Sequence, residues 1–539
     1  MTPLPNRYRK EVGGHSMSSK SKPLAQTATL MMALIFLSRI LGFVRLRAAA
    51  EVFGRTWHTD AFNAAFVIPD LMYFLLVGGA LSSAFIPVFT SYLARGDEDE
   101  AWIVASSFLN ATFLGLVALT GLGIMFSPQL APLVAYKFTG EQLKLLIHLM
   151  RIMFPAVFFT ALAGLAVGVL NSYQKFILPV TGPIIYNIGI ILGAYLLGPK
   201  IGIAGMAIGT VAGAIANFTL QLVQLWPWKG RYQLKIDWHH PGMGQILHLM
   251  LPAVISLSIA QVNLIISQNL ASGLAKGTIT ALQIANRLMQ FPLGVFAMGI
   301  SQVIFPTMTR QAARGEWEVF RNTFSRGLRS IFLITIPSAA GLLALGEPVI
   351  RLLFEAGEFG PSDTRATAYA LFFFAPGLVA LSGTQLLTRI YYSLQDTRTP
   401  VKVGIQAIIM NTLLSLAFLK FTSLGYGGLA LAYSITNIAN MTSYTLRLRK
   451  RMGSIDGTRI LATIIKSSTA SAFMGLAVYY LAQHIGQLVD LATTRGRALQ
   501  VMVPVAVGAL IYLVLAIAFR MEEIKVLQDM IKKRRTEKA

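Results

Sequence analysis

Cysteine is absent from the chain, which excludes a disulfide framework and a Cys-ligated metal. Acids are scarce: 23 Asp+Glu stand against 46 Lys+Arg, and charged residues of both signs fill 13% of 539 positions, where an average soluble domain carries about 25%. No P-loop, nucleophile elbow or credible catalytic triad occurs, so the chain reads as no enzyme and binds no ATP to power its work. Histidines are few and scattered, and His239-His240 sit in a charged loop without metal-ligand spacing. The first 24 residues are basic and lack the apolar core of a signal peptide, so no cleavage is expected.

What fills the chain instead is apolar sequence, 55% of all positions. A spanning helix needs about 20 apolar residues, and about fourteen candidates are present, so the fold class is an all-α polytopic membrane protein. Six candidates fall at 25–49, 59–93, 101–126, 142–172, 176–198 and 202–226. Six more fall at 244–273, 277–308, 326–346, 366–394, 400–420 and 427–446, and a last pair at 459–483 and 497–519. Too many of these runs lack a polar face for a soluble helical protein.

The two sets of six are copies of each other. Pro155, Gln174 and Pro179 recur as Pro376, Gln395 and Pro400, a shift of 221 residues. Ile86-Pro87 and Ala94-Arg95-Gly96 recur as Phe305-Pro306 and Ala313-Arg314-Gly315, shifted by 219, and Ala216-Asn217 recurs as Ala439-Asn440, shifted by 223. Homologous halves in a bilayer usually enclose a path with a substrate site near the midplane, which points to a transporter. The expected segments are a basic tail (1–24), an N-lobe (25–227), a loop (228–242), a C-lobe (243–451), an extra helix pair (458–520) and a second basic tail (521–539).

The net charge of +23 does not indicate nucleic acid. Basic residues collect in the tails and after even-numbered spans, as at Lys229/Arg231/Lys235, Arg310/Arg314, Arg398/Lys402 and Arg447/Arg449/Lys450/Arg451. That is the positive-inside pattern, with both termini cytoplasmic. The final tail also suits contact with anionic membrane lipids.

Some cations stay inside the apolar spans, where each Arg costs about 2.5–3.5 kcal/mol at a helix centre. Span one holds Arg39, Arg45 and Arg47, with Gly42 between the first two. Span eight holds Arg287 on a face with Thr280, Gln283 and Gln290, spaced by three and four. Arg39, Arg45 and Arg287 have no acid at helical pairing distance, so their expected place is a cavity for an anion. Arg suits phosphate because its planar fork donates two parallel hydrogen bonds. Arg47 has Glu51 one turn away, so pairing competes with a weaker substrate role there. Asp60 in span two either gates or couples transport, caps its helix, or pairs with an Arg of span one; Asp70, beside Pro69, reads as structural first. Lys144, His148 and Arg151 read as an interfacial anchor, and Arg389 as snorkelling.

Ser38-Arg39-Ile40-Leu41-Gly42-Phe43-Val44-Arg45, Thr59-Asp60-Ala61-Phe62 and Ala84-Phe85-Ile86-Pro87 resemble the opening of the MurJ (MviN) lipid II flippase family. Asn286-Arg287-Leu288-Met289-Gln290-Phe291-Pro292 and Tyr392-Ser393-Leu394-Gln395-Asp396 followed by Thr399-Pro400 extend the resemblance, which covers about 25–520. It implies membership of the multidrug/oligosaccharidyl-lipid/polysaccharide exporter superfamily. The implied fold is two six-helix lobes in a V around a central cavity, plus two C-terminal helices forming a lipid-facing groove. It also implies that Arg39, Arg45 and Arg287 hold the pyrophosphate of lipid II, that Gly42 lets span one bend, and that Asp60 matches the acid after span one. Departures are Leu46 and Gly78, where proteobacterial members carry acids, and Tyr73, where they carry an Arg.

The expected function is therefore a flippase for lipid-linked peptidoglycan precursor in the bacterial cytoplasmic membrane, acting by alternating access. Its expected partners are lipid II, membrane lipids and cell-wall synthesis proteins, with no resident cofactor. Three rivals stay open: a flippase for another undecaprenyl-linked glycan, a cation-coupled drug exporter, and a non-transporting scaffold. Energy is open between membrane potential, H+ on Asp60, and Na+ at neutral ligands, since Asn263, Asn411, Asn437 and Asn440 lie in spans seven, eleven and twelve without a carboxylate.

Overall fold

The computed structural model describes residues 21–75, 81 and 84–524. Gly78, Ser16 and Thr536 lie outside them, as does most of both tails. The N-lobe runs through α1 (Ser21–Phe53), α2 (Trp57–Ala65), α3 (Val67–Tyr73), α4 (Ile86–Arg95), α5 (Glu98–Met125), α6 (Ser127–Val134), α7 (Gly140–Ser172), α8 (Gly182–Leu192), α9 (Gly198–Ile201) and α10 (Ala204–Leu225). The C-lobe follows with α11 (Pro241–Ser272), α12 (Thr278–Pro292), α13 (Met298–Ala313), α14 (Trp317–Phe354), α15 (Pro361–Ser393), α16 (Arg398–Phe421) and α17 (Tyr426–Met452). The final pair, α18 (Gly457–Leu488) and α19 (Thr494–Ala518), packs on α14. Helices dominate because hydrocarbon offers no partner to an open N–H or C=O, so each segment must satisfy its own backbone.

Among the described residues, ten helical stretches are each long and apolar enough to cross a membrane, including α5, α7, α14, α15, α18 and α19. The four other expected spans coincide with α1, the broken path α2–α4, α11 and α17. With lipid tails as apolar as leucine, the lobes hold together by close packing rather than by hydrophobic burial. Between α8 and α10 the backbones touch: a Cβ at Gly189 would collide with Gly213, and one at Gly209 with the Gly189 carbonyl.

The repeat is visible in the backbone. Gln174 and Gln395, equivalent by sequence, both adopt the left-handed conformation, at φ 59° and 57°. Each closes its helix with the same wrap, Lys175 N to Leu170 O at 2.9 Å and Asp396 N to Tyr391 O at 2.8 Å, the Schellman bond that satisfies end carbonyls. Gly96 and Gly315 form a second matched pair, at φ 83° and 70°. Both halves also carry a π-helical turn in the same place, at Phe74-Leu75 and at Leu293–Ala297.

At one end the lobes are sewn together. Arg55, between α1 and α2, reaches Asp363 at 3.0 Å and the Lys276 carbonyl at 3.2 Å. The Glu358 amide donates to the Glu51 carbonyl at 2.9 Å. Two glycines permit this approach: a Cβ at Gly357 would collide with the Glu51 carbonyl, and one at Gly277 with that of Arg55.

Candidate functional site

Away from that seam, α1 and α12 face each other across a cavity of about 450 Å3. Arg39 and Arg45 enter it from α1 and Arg287 from α12, with Gly42, Asn187 and Gln290 among the other lining residues. The three arginines expected to converge are thus in one space, contributed by both lobes. None of them forms an ion pair among the described residues, although Arg47, on the same helix as two of them, does. Arg39 reaches the opposite lobe, where its guanidinium occupies the position a Cβ would take on Gly294. Gly294 lies in the π turn Leu293–Ala297, a local widening that often marks functional sites. Guanidinium stays charged at any accessible pH, so the cavity is permanently cationic and matched to an anion with several oxygens.

A carboxylate borders this space. Asp70 and Tyr73 line a smaller pocket of about 170 Å3 together with Tyr186, and Tyr186 also lines the arginine cavity. Asp70 has no ion-pair partner among the described residues and is exposed rather than packed, which does not fit the structural role read first from its place beside Pro69. Tyr186, Asn187 and Gly294 were not anticipated: no charge or motif singles them out, and only the approach of α8 and the π turn to α1 brings them in.

Asp60 sits differently from expectation, whereas Arg47 takes the pairing that its spacing from Glu51 offered. Asp60 neither caps its own helix nor pairs with an Arg of span one. It is 3% exposed, and its carboxylate accepts from Gly277 N at 2.6 Å, Thr280 N at 2.8 Å and Thr280 Oγ1 at 2.8 Å. It therefore caps α12, whose own N-cap is a glycine, from the other lobe. Arg47 is not a cavity residue: it pairs with Glu51 at 3.8 Å, and Glu51 in turn accepts from the Tyr195 hydroxyl at 2.9 Å. Gly42 does not interrupt α1, which is continuous through it; a Cβ there would meet nothing within 4 Å, so the glycine adds room to the cavity it lines.

A separate cavity of about 950 Å3 opens within the C-lobe side, lined by Asn263, Asn411, Thr436, Asn437 and Asn440. Asn411 donates to Asn263 Oδ1 at 3.1 Å and Ser267 Oγ at 3.2 Å, while Asn411 Oδ1, Thr436 Oγ1 and Asn440 Oδ1 have no partner among the described residues. These Asn and Thr groups are neutral, while Arg398 and Lys402 also line the cavity. Among the described residues no cluster of His, Cys, Asp and Glu suits a metal ion.

Residues 49–492 match the model of the family described as "Lipid II flippase MurJ". The chain belongs to that family. A probable lipid II flippase MurJ from Vibrio cholerae serotype O1 is 32% identical over 432 residues, covering 78% of this chain and 82% of the relative. A solved structure of lipid II flippase MurJ in an inward closed conformation superposes with a TM-score of 0.76 at 26% identity, covering 91% of this chain and 99% of that one. An inward-facing multidrug transporter of the MATE family superposes with a TM-score of 0.68 at 13% identity over 80% of this chain, a likeness of fold alone. The family match begins after Arg45, so the α1 arginines of this MurJ family member rest on their own geometry. A multi-pass protein of the bacterial inner membrane follows from the family and the apolar helices together.

Proposed function

We propose that this chain flips lipid II from the inner to the outer leaflet of the cytoplasmic membrane by alternating access. The observation that carries the proposal is the meeting of Arg39, Arg45 and Arg287, from two lobes, in one cavity, none of them in an ion pair among the described residues. A pyrophosphate and its sugars otherwise face about 30 Å of hydrocarbon. Guanidinium forks replace the water that the pyrophosphate sheds, and the polyprenyl tail stays in lipid beside the lobes. The seam at Arg55, Asp60 and Asp363 faces outward in this reading and both termini face the cytoplasm, so the structure is closed to the outside. Release requires the seam to part, which breaks the Asp60 cap on α12, the helix that carries Arg287. Anion binding and seam opening then act on the same helix.

A drug exporter for organic cations needs the opposite sign in its cavity. For energy, three couplings belong to the proposal: membrane potential acting on the cationic cavity, a proton on Asp60, which would cost the carboxylate acceptor capacity and loosen the cap, or Na+ at the neutral oxygens of Asn411, Thr436 and Asn440. Delivery of the flipped lipid to wall-synthesis proteins completes it.

The test is depletion of the protein in its own host with complementation by Arg39→Ala, Arg45→Ala or Arg287→Ala. Each should let lipid II accumulate inside while the variant stays folded in the membrane. Losing a charge-assisted contact of about 1.5–3 kcal/mol predicts roughly 10- to 100-fold weaker binding of lipid II in vitro. Arg→Lys should rescue partly, because a point charge lacks the bidentate fork. Full complementation by all three alanine variants would end the proposal, and accumulation of a different lipid-linked glycan would reassign the substrate.

A further inference from the structure

The N-lobe has a concave surface apart from the arginine cavity. A groove of about 600 Å3 runs between α5, α7, α10 and the turn at 226–232, a volume within the range of about 300–1,000 Å3 typical of small-molecule sites. Its wall is a continuous aromatic series: Phe113 to Phe158 at 5.5 Å, Phe158 to Phe159 at 5.2 Å, and Phe159 to Phe218 at 6.1 Å between ring centres. Its polar groups are few and mostly spent. Asn110 donates to the Gln233 and Lys235 carbonyls at 2.8 and 3.0 Å and accepts from the Tyr232 hydroxyl.

One end of the groove differs. Trp226 is 64% exposed there, and the Lys229 ammonium lies 4.0 Å from the centre of its ring. The neighbouring Arg231 is committed to Glu98 and Asp99, each at 3.1 Å. Lys229 has no carboxylate partner among the described residues. An exposed Trp beside a free cation, above an apolar slot, is the composition of a membrane interface site, where rings sit at headgroup depth and a cation meets phosphate.

We propose that this groove binds an anionic glycerophospholipid of the surrounding leaflet, one acyl chain against the aromatic wall and the phosphate at Lys229. The occupant is a leaflet lipid rather than the transported one. The groove shares no lining residue with the arginine cavity, so a polyprenyl lipid seated here would hold its pyrophosphate away from Arg39, Arg45 and Arg287. A bound phospholipid would brace α5, α7 and α10, the last of which packs on α8 and so on the helix bearing Tyr186 and Asn187.

Native mass spectrometry of the purified full chain, titrated with phosphatidylglycerol, phosphatidylethanolamine or undecaprenyl phosphate, tests this. Wild type should retain one phosphatidylglycerol about fivefold better than phosphatidylethanolamine, the factor for about one lysine at a membrane surface. Lys229→Ala should bring the two lipids level. Leu222→Trp, at a half-open groove position, should lower retention of both while leaving thermal unfolding of the protein unchanged. Equal retention of the two phospholipids by wild type, or an unchanged preference in Lys229→Ala, would overturn the proposal. So would displacement of phosphatidylglycerol by undecaprenyl phosphate with a dependence on Leu222, which would give the groove to the transported lipid.

Discussion

A single carboxylate, Asp60, holds a helix of one lobe from the other. Its two oxygens accept three hydrogen bonds from residues 217 and 220 positions away, two of them from backbone N–H groups at the start of α12. A helix N-terminus carries a partial positive charge and open donors, so an acid there is stabilised without an ion pair of its own. The sequence offered Asp60 only near partners, its own helix or the arginines of span one, and the true partner was invisible because Gly277 and Thr280 carry no charge. Arg47 was the opposite case: its partner is Glu51 on the same helix, and a spacing of four residues displays such a pair directly. We predict that Asp60→Asn weakens the seam, since an amide offers one acceptor oxygen and turns an N–H toward donors. Loss of bonds to a charged group costs about 1.5–3 kcal/mol, enough to shift the population toward an open seam by roughly tenfold or more. Spin labels at the exposed positions His58 and Arg365 should then report longer distances by electron resonance, and an unchanged distribution would show that Asp60 does not hold the seam.

Helices were legible as apolar runs, and their equivalence as a repeat, because the bilayer demands both length and apolarity. The finer features of the elements were not. The π turns at Phe74-Leu75 and Leu293–Ala297 have no composition of their own, and α1 continues through Gly42 because a single glycine weakens a helix without breaking it. The motif Gln395-Asp396 with Thr399-Pro400 does have a physical meaning that its resemblance alone does not give. Asp396 accepts from the Thr399 amide at 2.9 Å and hydroxyl at 2.8 Å, capping α16, and meets Arg451 of α17 at 3.2 Å. The equivalent N-lobe positions hold Lys175 and Leu178, which cannot cap, and that segment begins with a 3-10 turn, Pro179–Thr181, instead. Burial pulls the Asp396 carboxyl upward, but the Thr399 donors and the Arg451 guanidinium outweigh it and hold it below the usual carboxylate range. A depressed folded value means stability present above the unfolded value, about 3.9, and lost as pH falls through the folded one. Thermal unfolding in detergent should therefore show wild type losing more stability than Asp396→Asn as the pH drops from about 5 to 3. Parallel acid sensitivity of the two would remove Asp396 from the account.

On the scale of the molecule, charge and closure lie at opposite ends. The seam joins the segments around 53–60, 273–280 and 355–363, and Arg497, at the start of α19, reaches the same end through Glu355 at 3.2 Å. The other end gathers the loops rich in Lys and Arg: Arg231 against Glu98 and Asp99, Arg451 against Asp396, and the 453–456 turn against Ser325 through Asp456 at 2.6 Å. In the proposed orientation, which rests on the positive-inside rule, this second end and both tails face the cytoplasm. Because the chain contains no cysteine, single cysteines report topology without background. We predict that Ser16→Cys and Thr536→Cys resist a membrane-impermeant thiol reagent in intact cells, whereas Ala492→Cys, in the exposed turn between α18 and α19, reacts. The outcome decides more than orientation. Three arginines that collect an anion made in the cytoplasm are useful only if the sealed end points outward in this state. Labelling of either tail in intact cells would set the seam on the cytoplasmic side, leave the cationic cavity facing the wrong leaflet for loading, and reverse the proposed direction of transport.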